Sequence, residues 1–282
     1  MTSSSVATAV SADGIAVRYE VRGRGAPALV FVHGWSCDRR YWNAQMDYFA
    51  DRHQVVAVDL AGHGESGLGR TAWTMPCFGA DVVAVVKQLE LRRALMIGHS
   101  MGGDVIVEAA LRLPGRVSGL VWVDTYNSLG QAESDDGIEE FIAPFHADFV
   151  TCTRGFVTRM FRPGSDPELV EWVAADMSSA PPEVALDAIK YALANEPAAV
   201  AGLRDAAVPV TAINPDYRPT DVESLERHGV RVVLISGVGH FLMMEDPESF
   251  NRVLGETIDR LEAEPASEHH ARYGVQSRRS RP

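Results

Sequence analysis

Short, wholly apolar runs constrain the fold of this chain more than any other feature of its sequence. A strand without polar alternation is buried on both faces, which is typical of parallel sheets covered by helices. Helix-length segments with one apolar stripe separate the runs, as between residues 78 and 89. This alternation predicts an α/β fold with a mostly parallel, doubly wound sheet. Polar and apolar residues alternate at 6–10 and 15–21, which predicts an antiparallel hairpin at the sheet edge. The apolar runs cover residues 28–32, 55–58, 94–97 and 119–123, and further strands are predicted at 208–213 and 230–235.

The alternation of strand and helix is interrupted in the second half of the chain. Residues 125–207 show helical patterns and no clear strand, and they are too many for a loop. We therefore predict a helical cap over the carboxyl edge of the sheet. The cap is inserted into a core formed by residues 9–124 and 208–262. The terminal segments 1–8 and 264–282 are small or polar, and we predict that they are flexible.

Charge and cysteine content argue against several classes of function. The formal net charge of −12 disfavours nucleic acid or an anionic membrane surface as a partner, since both would be repelled. The cysteines, Cys37, Cys77 and Cys152, are too scattered for a disulfide framework or a metal site. No segment has the character of a signal peptide or a membrane span. We expect a cytoplasmic protein that acts on a small-molecule substrate without a metal or a cofactor.

The segment Gly98-His99-Ser100-Met101-Gly102 joins an apolar run to a helical pattern. A serine on such a strand-to-helix turn is held on a sharp bend that exposes its hydroxyl, and the glycines let the helix approach the strand. The backbone N–H of Met101 lies at the start of the helix, where the helix dipole favours negative charge. The turn therefore predicts a nucleophile, Ser100, together with one donor of an oxyanion hole.

A second oxyanion donor is expected at the end of the first apolar run, which is followed by His33-Gly34-Trp35. Ligands of open α/β sheets bind at the carboxyl ends of strands, so we predict that the N–H of Trp35 faces the substrate. We expect His33 to order this loop. Asp59 and His63 lie in a glycine-rich turn and are expected to hydrogen-bond within it.

The order of these motifs resembles that of the α/β-hydrolase fold superfamily across residues 10–262. The pattern reads strand, HGW, strand, DLAGHGES, strand, GHSMGG, helical insertion, strand, acid, strand, GHF. The resemblance implies that Ser100 is the nucleophile, that His240 is the general base, and that an aspartate orients the histidine. Asp216, in a polar loop after a strand, is the preferred acid, and Asp124 is the alternative.

The resemblance implies a serine hydrolase that cleaves a carboxylic ester, a lactone or a related acyl bond of a small, fairly apolar substrate. A serine at this turn argues against the relatives that attack with a carboxylate, the epoxide hydrolases and haloalkane dehalogenases. The same scaffold also serves acyltransferases and cofactor-free peroxidases, which remain alternatives. A non-catalytic receptor for a small ligand is a third.

Overall fold

A computed structural model of the chain describes residues 4–263. Within these residues eight strands form one sheet, in the spatial order β1-β2-β4-β3-β5-β6-β7-β8. Only the β1–β2 and β2–β4 pairs are antiparallel, and the other pairs are parallel, so the predicted mostly parallel α/β sheet is confirmed. The strands are β1 (Ser5–Val10), β2 (Ala16–Arg22), β3 (Ala28–Val32), β4 (Val55–Val58), β5 (Ala94–His99), β6 (Val117–Val123), β7 (Val210–Pro215) and β8 (Val230–Ile235).

Helices connect these strands and cover the sheet. Five of them, α4 to α8, lie between β6 and β7, the interval in which the sequence predicts a helical cap; we call them the inserted helices. A short 3-10 helix at Arg39–Trp42 precedes the first α-helix. The α-helices are α1 (Asn43–Phe49), α2 (Met75–Gln88), α3 (Met101–Leu111), α4 (Asp135–Ala147), α5 (Phe149–Thr158), α6 (Pro167–Ser178), α7 (Pro182–Leu193), α8 (Glu196–Ala206), α9 (Val222–Arg227), α10 (Leu242–Glu245) and α11 (Pro247–Ala263).

The central strands explain why the apolar runs are so uniform. All residues of β3, β4 and β5 are buried, because each strand has a parallel or antiparallel partner on both sides and helices on its faces. The edge strand β8 differs, since most of its residues are partly exposed. Burial on both faces therefore centres the core on β3 and β5, whose carboxyl ends carry the HGW and GHSMGG motifs.

The amino-terminal prediction is corrected by the structure. Ser5 to Thr8, part of the segment that we predicted to be flexible, pair with β2 in antiparallel register, which confirms the hairpin predicted over 6–10 and 15–21. The reason is that β2 offers a free row of backbone groups to pair with, and Arg18 and Gln88 also donate hydrogen bonds to the hydroxyl and the carbonyl of Thr8. Residues 1–3 and the predicted flexible segment 264–282 lie outside the described residues.

Among residues 4–263, no helix combines the length and apolar character that crossing a membrane requires. The expected cytoplasmic location stays a prediction.

Candidate active site

Ser100 lies on the turn between β5 and α3 and has a strained backbone. Its φ of 51° and ψ of −123° are rare for a residue with a side chain, and such conformations persist only where the surroundings enforce them. A Cβ at Gly98 would collide with the carbonyl of Gly102, and a Cβ at Gly102 would lie 2.6 Å from the carbonyl oxygen of Val32. The two glycines thus let α3 approach the sheet closely enough to hold Ser100 in this conformation.

A cavity of about 360 Å³ opens at Ser100, between the carboxyl ends of the strands and the inserted helices. Met101 and Trp35, the two predicted oxyanion donors, line it together with Ser100 and His240. The Trp35 indole donates a hydrogen bond of 2.7 Å to the carbonyl of Ala185 and so ties the loop after β3 to α7. The apolar part of the wall includes Phe141, Phe156, Met160, Met177, Ile189 and Leu193.

His240 follows β8 in the loop that precedes α10. Its backbone N–H donates to the carbonyl of Met160, 3.0 Å away, which anchors the loop to the inserted helices. Its ring Nδ1 donates to Oδ2 of Asp124 at 2.6 Å. Asp124 follows β6 and is buried, and its own N–H donates to the carbonyl of Ile213. A buried carboxylate in this position fixes the histidine tautomer and leaves Nε2 with a lone pair.

The structure places Asp124, and not the preferred Asp216, beside the ring of His240. The sequence suggests that β7 ends at residue 213, whereas the strand continues to Pro215 and pairs there with Ile235. Asp216 therefore follows directly after the extended end of β7. There its exposed carboxylate accepts a hydrogen bond of 3.4 Å from the backbone N–H of Gly237. Asp124, the alternative, is the carboxylate that contacts His240.

His99 lines the cavity and is a residue that the sequence analysis did not single out. It is 1% exposed, and its Nε2 donates to the carbonyl of His240 at 2.9 Å, with the two rings 4.6 Å apart. Burial lowers the pKa of His99 well below its usual value, so the ring stays neutral. The signal was available, because His99 immediately precedes the serine in the turn. A neutral ring that binds a backbone carbonyl positions the loop of His240.

The residues expected to be structural are found in hydrogen-bonded loops. His33 accepts from the N–H of Leu60 at 3.0 Å, and burial lowers the pKa of His33 to about 4. His63 contacts the carbonyl of Ala61 at 3.1 Å, and burial lowers the pKa of His63 to about 3. Asp59 accepts from the backbone N–H groups of Arg39 and Glu65 and pairs with the Arg39 guanidinium.

Asp104 is the second residue that the sequence analysis missed. It lies on α3, lines the cavity and accepts a hydrogen bond of 2.8 Å from the hydroxyl of Tyr126. Burial raises the pKa of Asp104 to about 7, and the negative charge of Glu108 adds to this, whereas Tyr126 and Asn195 oppose it. An acid within the apolar face of a helix, four residues after the serine, was the available signal.

Replacing Asp104 by asparagine is expected to stabilise the protein at high pH. The folded carboxyl keeps its proton up to about pH 7, and the unfolded one loses it near 3.8, so the stability of the wild type falls as pH rises between these values. The stability of Asp104→Asn does not fall in this way, because the amide does not titrate. The unfolding free energy of the variant should therefore rise relative to that of the wild type by about 1 to 3 kcal/mol between about pH 5 and about pH 8. Urea unfolding of both proteins at the two pH values measures this; parallel pH dependences would contradict it.

Among residues 4–263, no group of three or more histidine, cysteine, aspartate or glutamate side chains could hold a metal ion.

Comparison with known proteins finds a family model and a relative that match most of this chain. The model of the Alpha/beta hydrolase family matches residues 29–253. The 3-oxoadipate enol-lactonase 2 of Acinetobacter baylyi is 26% identical over 265 residues, which cover 89% of this chain and 96% of the relative. A dihydrolipoyllysine-residue acetyltransferase component of the acetoin cleaving system of Cupriavidus necator is 34% identical over 131 residues. Those residues cover 46% of this chain and 35% of the relative, so the match spans about a third of that protein.

A solved structure shows the same fold. The thermophilic esterase from Thermogutta terrifontis superposes on this chain with a TM-score of 0.78 at 23% sequence identity. The superposition covers 91% of this chain and 99% of the esterase, so both the sheet and the inserted helices have counterparts in one known architecture.

Proposed function

Because this chain belongs to the alpha/beta hydrolase family and is an enzyme of that family, we propose that it hydrolyses a carboxylic ester or lactone through an acyl-serine at Ser100. One observation carries the proposal above the others. The 2.6 Å contact between His240 and the buried Asp124 lies at the cavity that Ser100 also lines. This arrangement supplies a nucleophile, a base and an orienting acid at one place.

The first half of the reaction follows from the tautomer of His240. With Nδ1–H given to Asp124, Nε2 can take the proton of the Ser100 hydroxyl as its oxygen attacks the substrate carbonyl. The negative charge that forms on the carbonyl oxygen is stabilised by the backbone N–H groups of Met101 and Trp35. His240 then gives its proton to the leaving oxygen, the carbon–oxygen bond breaks, and the acyl group stays on Ser100.

The second half repeats these steps with water. His240 takes a proton from a water molecule as the water oxygen attacks the acyl-serine. Collapse of the second tetrahedral intermediate returns the proton to Ser100 and releases the carboxylic acid. The carboxylate of Asp124 stabilises the imidazolium form of His240 in both halves.

The wall of the cavity supports a small, fairly apolar substrate. We propose that the inserted helices act as a cap, since they contribute Phe141, Phe156, Met177, Ile189, Ala192 and Leu193 to the apolar wall. A volume of about 360 Å³ is at the lower end of the range for sites that bind small molecules. The name of the Acinetobacter baylyi relative supports lactones as substrates beside open-chain esters.

A substrate panel tests the proposed function. We expect turnover of p-nitrophenyl esters of short acids and of small lactones, with kcat/KM falling for long acyl chains that exceed the cavity. Release of nitrophenol and of acid measures this. If no ester or lactone in the panel is hydrolysed above the rate in buffer, the proposed acyl chemistry is wrong.

The sequence left three alternatives to ester hydrolysis open. Transfer of the acyl group to an acceptor other than water, and peroxide formation, stay predictions. A non-catalytic receptor is not carried further, because the relatives that cover most of this chain are named as enzymes.

A further inference from the structure

One buried acid at the cavity has no part in the mechanism above. Asp104 lies four residues after Ser100 on α3, which places it about 6 Å further along the helix axis. Its side chain lines the same cavity, although the residue is only 3% exposed. Asp104 therefore lies on the wall of the same cavity, about one helical turn from Ser100.

The position of the Asp104 carboxylate is fixed by a neighbour that also lines the cavity. The hydroxyl of Tyr126 donates to Oδ1 of Asp104 at 2.8 Å. An ionised carboxylate offers about four acceptor sites, so this hydrogen bond leaves capacity for a further donor. Burial of a carboxylate without a charged partner is unfavourable, and it raises the pKa of Asp104 to about 7. A substrate cation would relieve this cost.

The other charges at the cavity have the same sign. Within the described part of the chain, the lining includes no lysine or arginine, and the other carboxylates on it are Glu133 and Glu196. Glu196, the first residue of α8, accepts hydrogen bonds from the backbone N–H groups of Gly130 and Gln131, which tie its carboxylate to the loop after β6. A substrate with a second, anionic group would meet only negative charge beyond Ser100.

We propose that Asp104 is a specificity-determining residue that binds an ammonium group on the substrate and, together with Glu133 and Glu196, rejects substrates that carry a carboxylate. This inference rests on the proposed ester hydrolysis and narrows its substrate class to amine-bearing esters or lactones. The ammonium donates to the Asp104 carboxylate while the ester carbonyl lies at Ser100. Tyr126 holds the carboxylate in place by its hydrogen bond.

Three matched esters test the proposal at about pH 8, where the Asp104 carboxyl has lost its proton. The p-nitrophenyl esters of 6-aminohexanoic, heptanoic and pimelic acid end in an ammonium, a methyl and a carboxylate group, and a second series places the same end groups on the alcohol of acetate esters. In one of the two series, we expect kcat/KM for the ammonium ester to exceed that for the carboxylate ester by about tenfold or more. Asp104→Asn should reduce that ratio to within about threefold, because the isosteric amide has no charge.

Asp47→Asn is the matched control. This substitution removes the same charge from an exposed side chain on α1 that pairs with Arg22, outside the cavity lining, so the ratio should stay at the wild-type value. Circular dichroism and thermal unfolding show whether each variant is folded. A purely structural role of Asp104 would lower kcat/KM for all three esters together and leave their ratio unchanged, and that result would overturn the proposal. So would equal turnover of the three esters by the wild type.

Failure of this proposal can be told from failure of the proposed function. If the heptanoate ester is hydrolysed and kcat/KM is equal for the ammonium and carboxylate esters, only the role of Asp104 is wrong. If no ester is hydrolysed, the acyl chemistry is wrong, and calorimetry then tests Asp104 by itself. Ser100→Ala should bind hexylamine more tightly than hexanoate, and the Ser100→Ala/Asp104→Asn double variant should not; equal binding of the two ligands by Ser100→Ala would overturn the proposal.

Discussion

Ser100→Ala is expected to lower kcat for the best ester of the panel by about 10⁴-fold or more, because the variant has no oxygen to form the acyl intermediate. The backbone donors at Met101 and Trp35 remain in this variant, so substrate binding should change little and KM should stay within about threefold of the wild-type value. Steady-state kinetics with purified protein measures both values.

The control for this prediction is the same substitution at a serine outside the cavity lining. Ser118→Ala removes a hydroxyl that contacts the carbonyl of Ala94 on the strand pair β5–β6, and its kcat should match the wild type. Retention of wild-type kcat by Ser100→Ala would remove Ser100 from the mechanism.

Asp124→Asn is expected to lower kcat by about 10³- to 10⁴-fold with the fold intact. An asparagine amide in this position can donate a hydrogen bond to Nδ1 and so favour the tautomer with the proton on Nε2, which cannot accept the proton of Ser100. The variant also loses the charge that stabilises the imidazolium of His240.

Asp216→Asn is the matched comparison, because it makes the same chemical change in the acid that the sequence favoured. Its carboxylate is exposed and makes a long contact of 3.4 Å to the backbone N–H of Gly237 in the loop after β8, so kcat should stay within about twofold of the wild type. A large loss in Asp216→Asn with little loss in Asp124→Asn would reverse the assignment.

These two acids show where sequence reasoning succeeds and where it stops. The apolar runs predicted the central strands because burial on both faces leaves an unbroken signal, and β3 and β4 have the predicted bounds. The edge strand β8 also has its predicted bounds, although most of its residues are partly exposed. The end of β7 was predicted two residues too early, because Asn214 and Pro215 are poor strand formers. In the structure both residues nevertheless pair with β8. That difference moved Asp216 away from His240.

His99 and Asp104 were missed for a different reason. Each is a polar side chain whose importance depends on what folds over it, namely the loop of His240 over His99 and the loop of Tyr126 beside Asp104. Local sequence carries no record of such contacts between distant segments. In contrast, Ser100 was identified because the strand, the glycines and the helix that define its conformation are all neighbours in the chain.

The most direct test of the account is covalent labelling of the wild type with a fluorophosphonate, followed by peptide mapping by mass spectrometry. We expect one adduct per chain, on the peptide that contains Ser100, with hydrolysis of the best ester lost in proportion to labelling. Ester hydrolysis that persists after complete labelling of Ser100, or labelling confined to another residue, would contradict it.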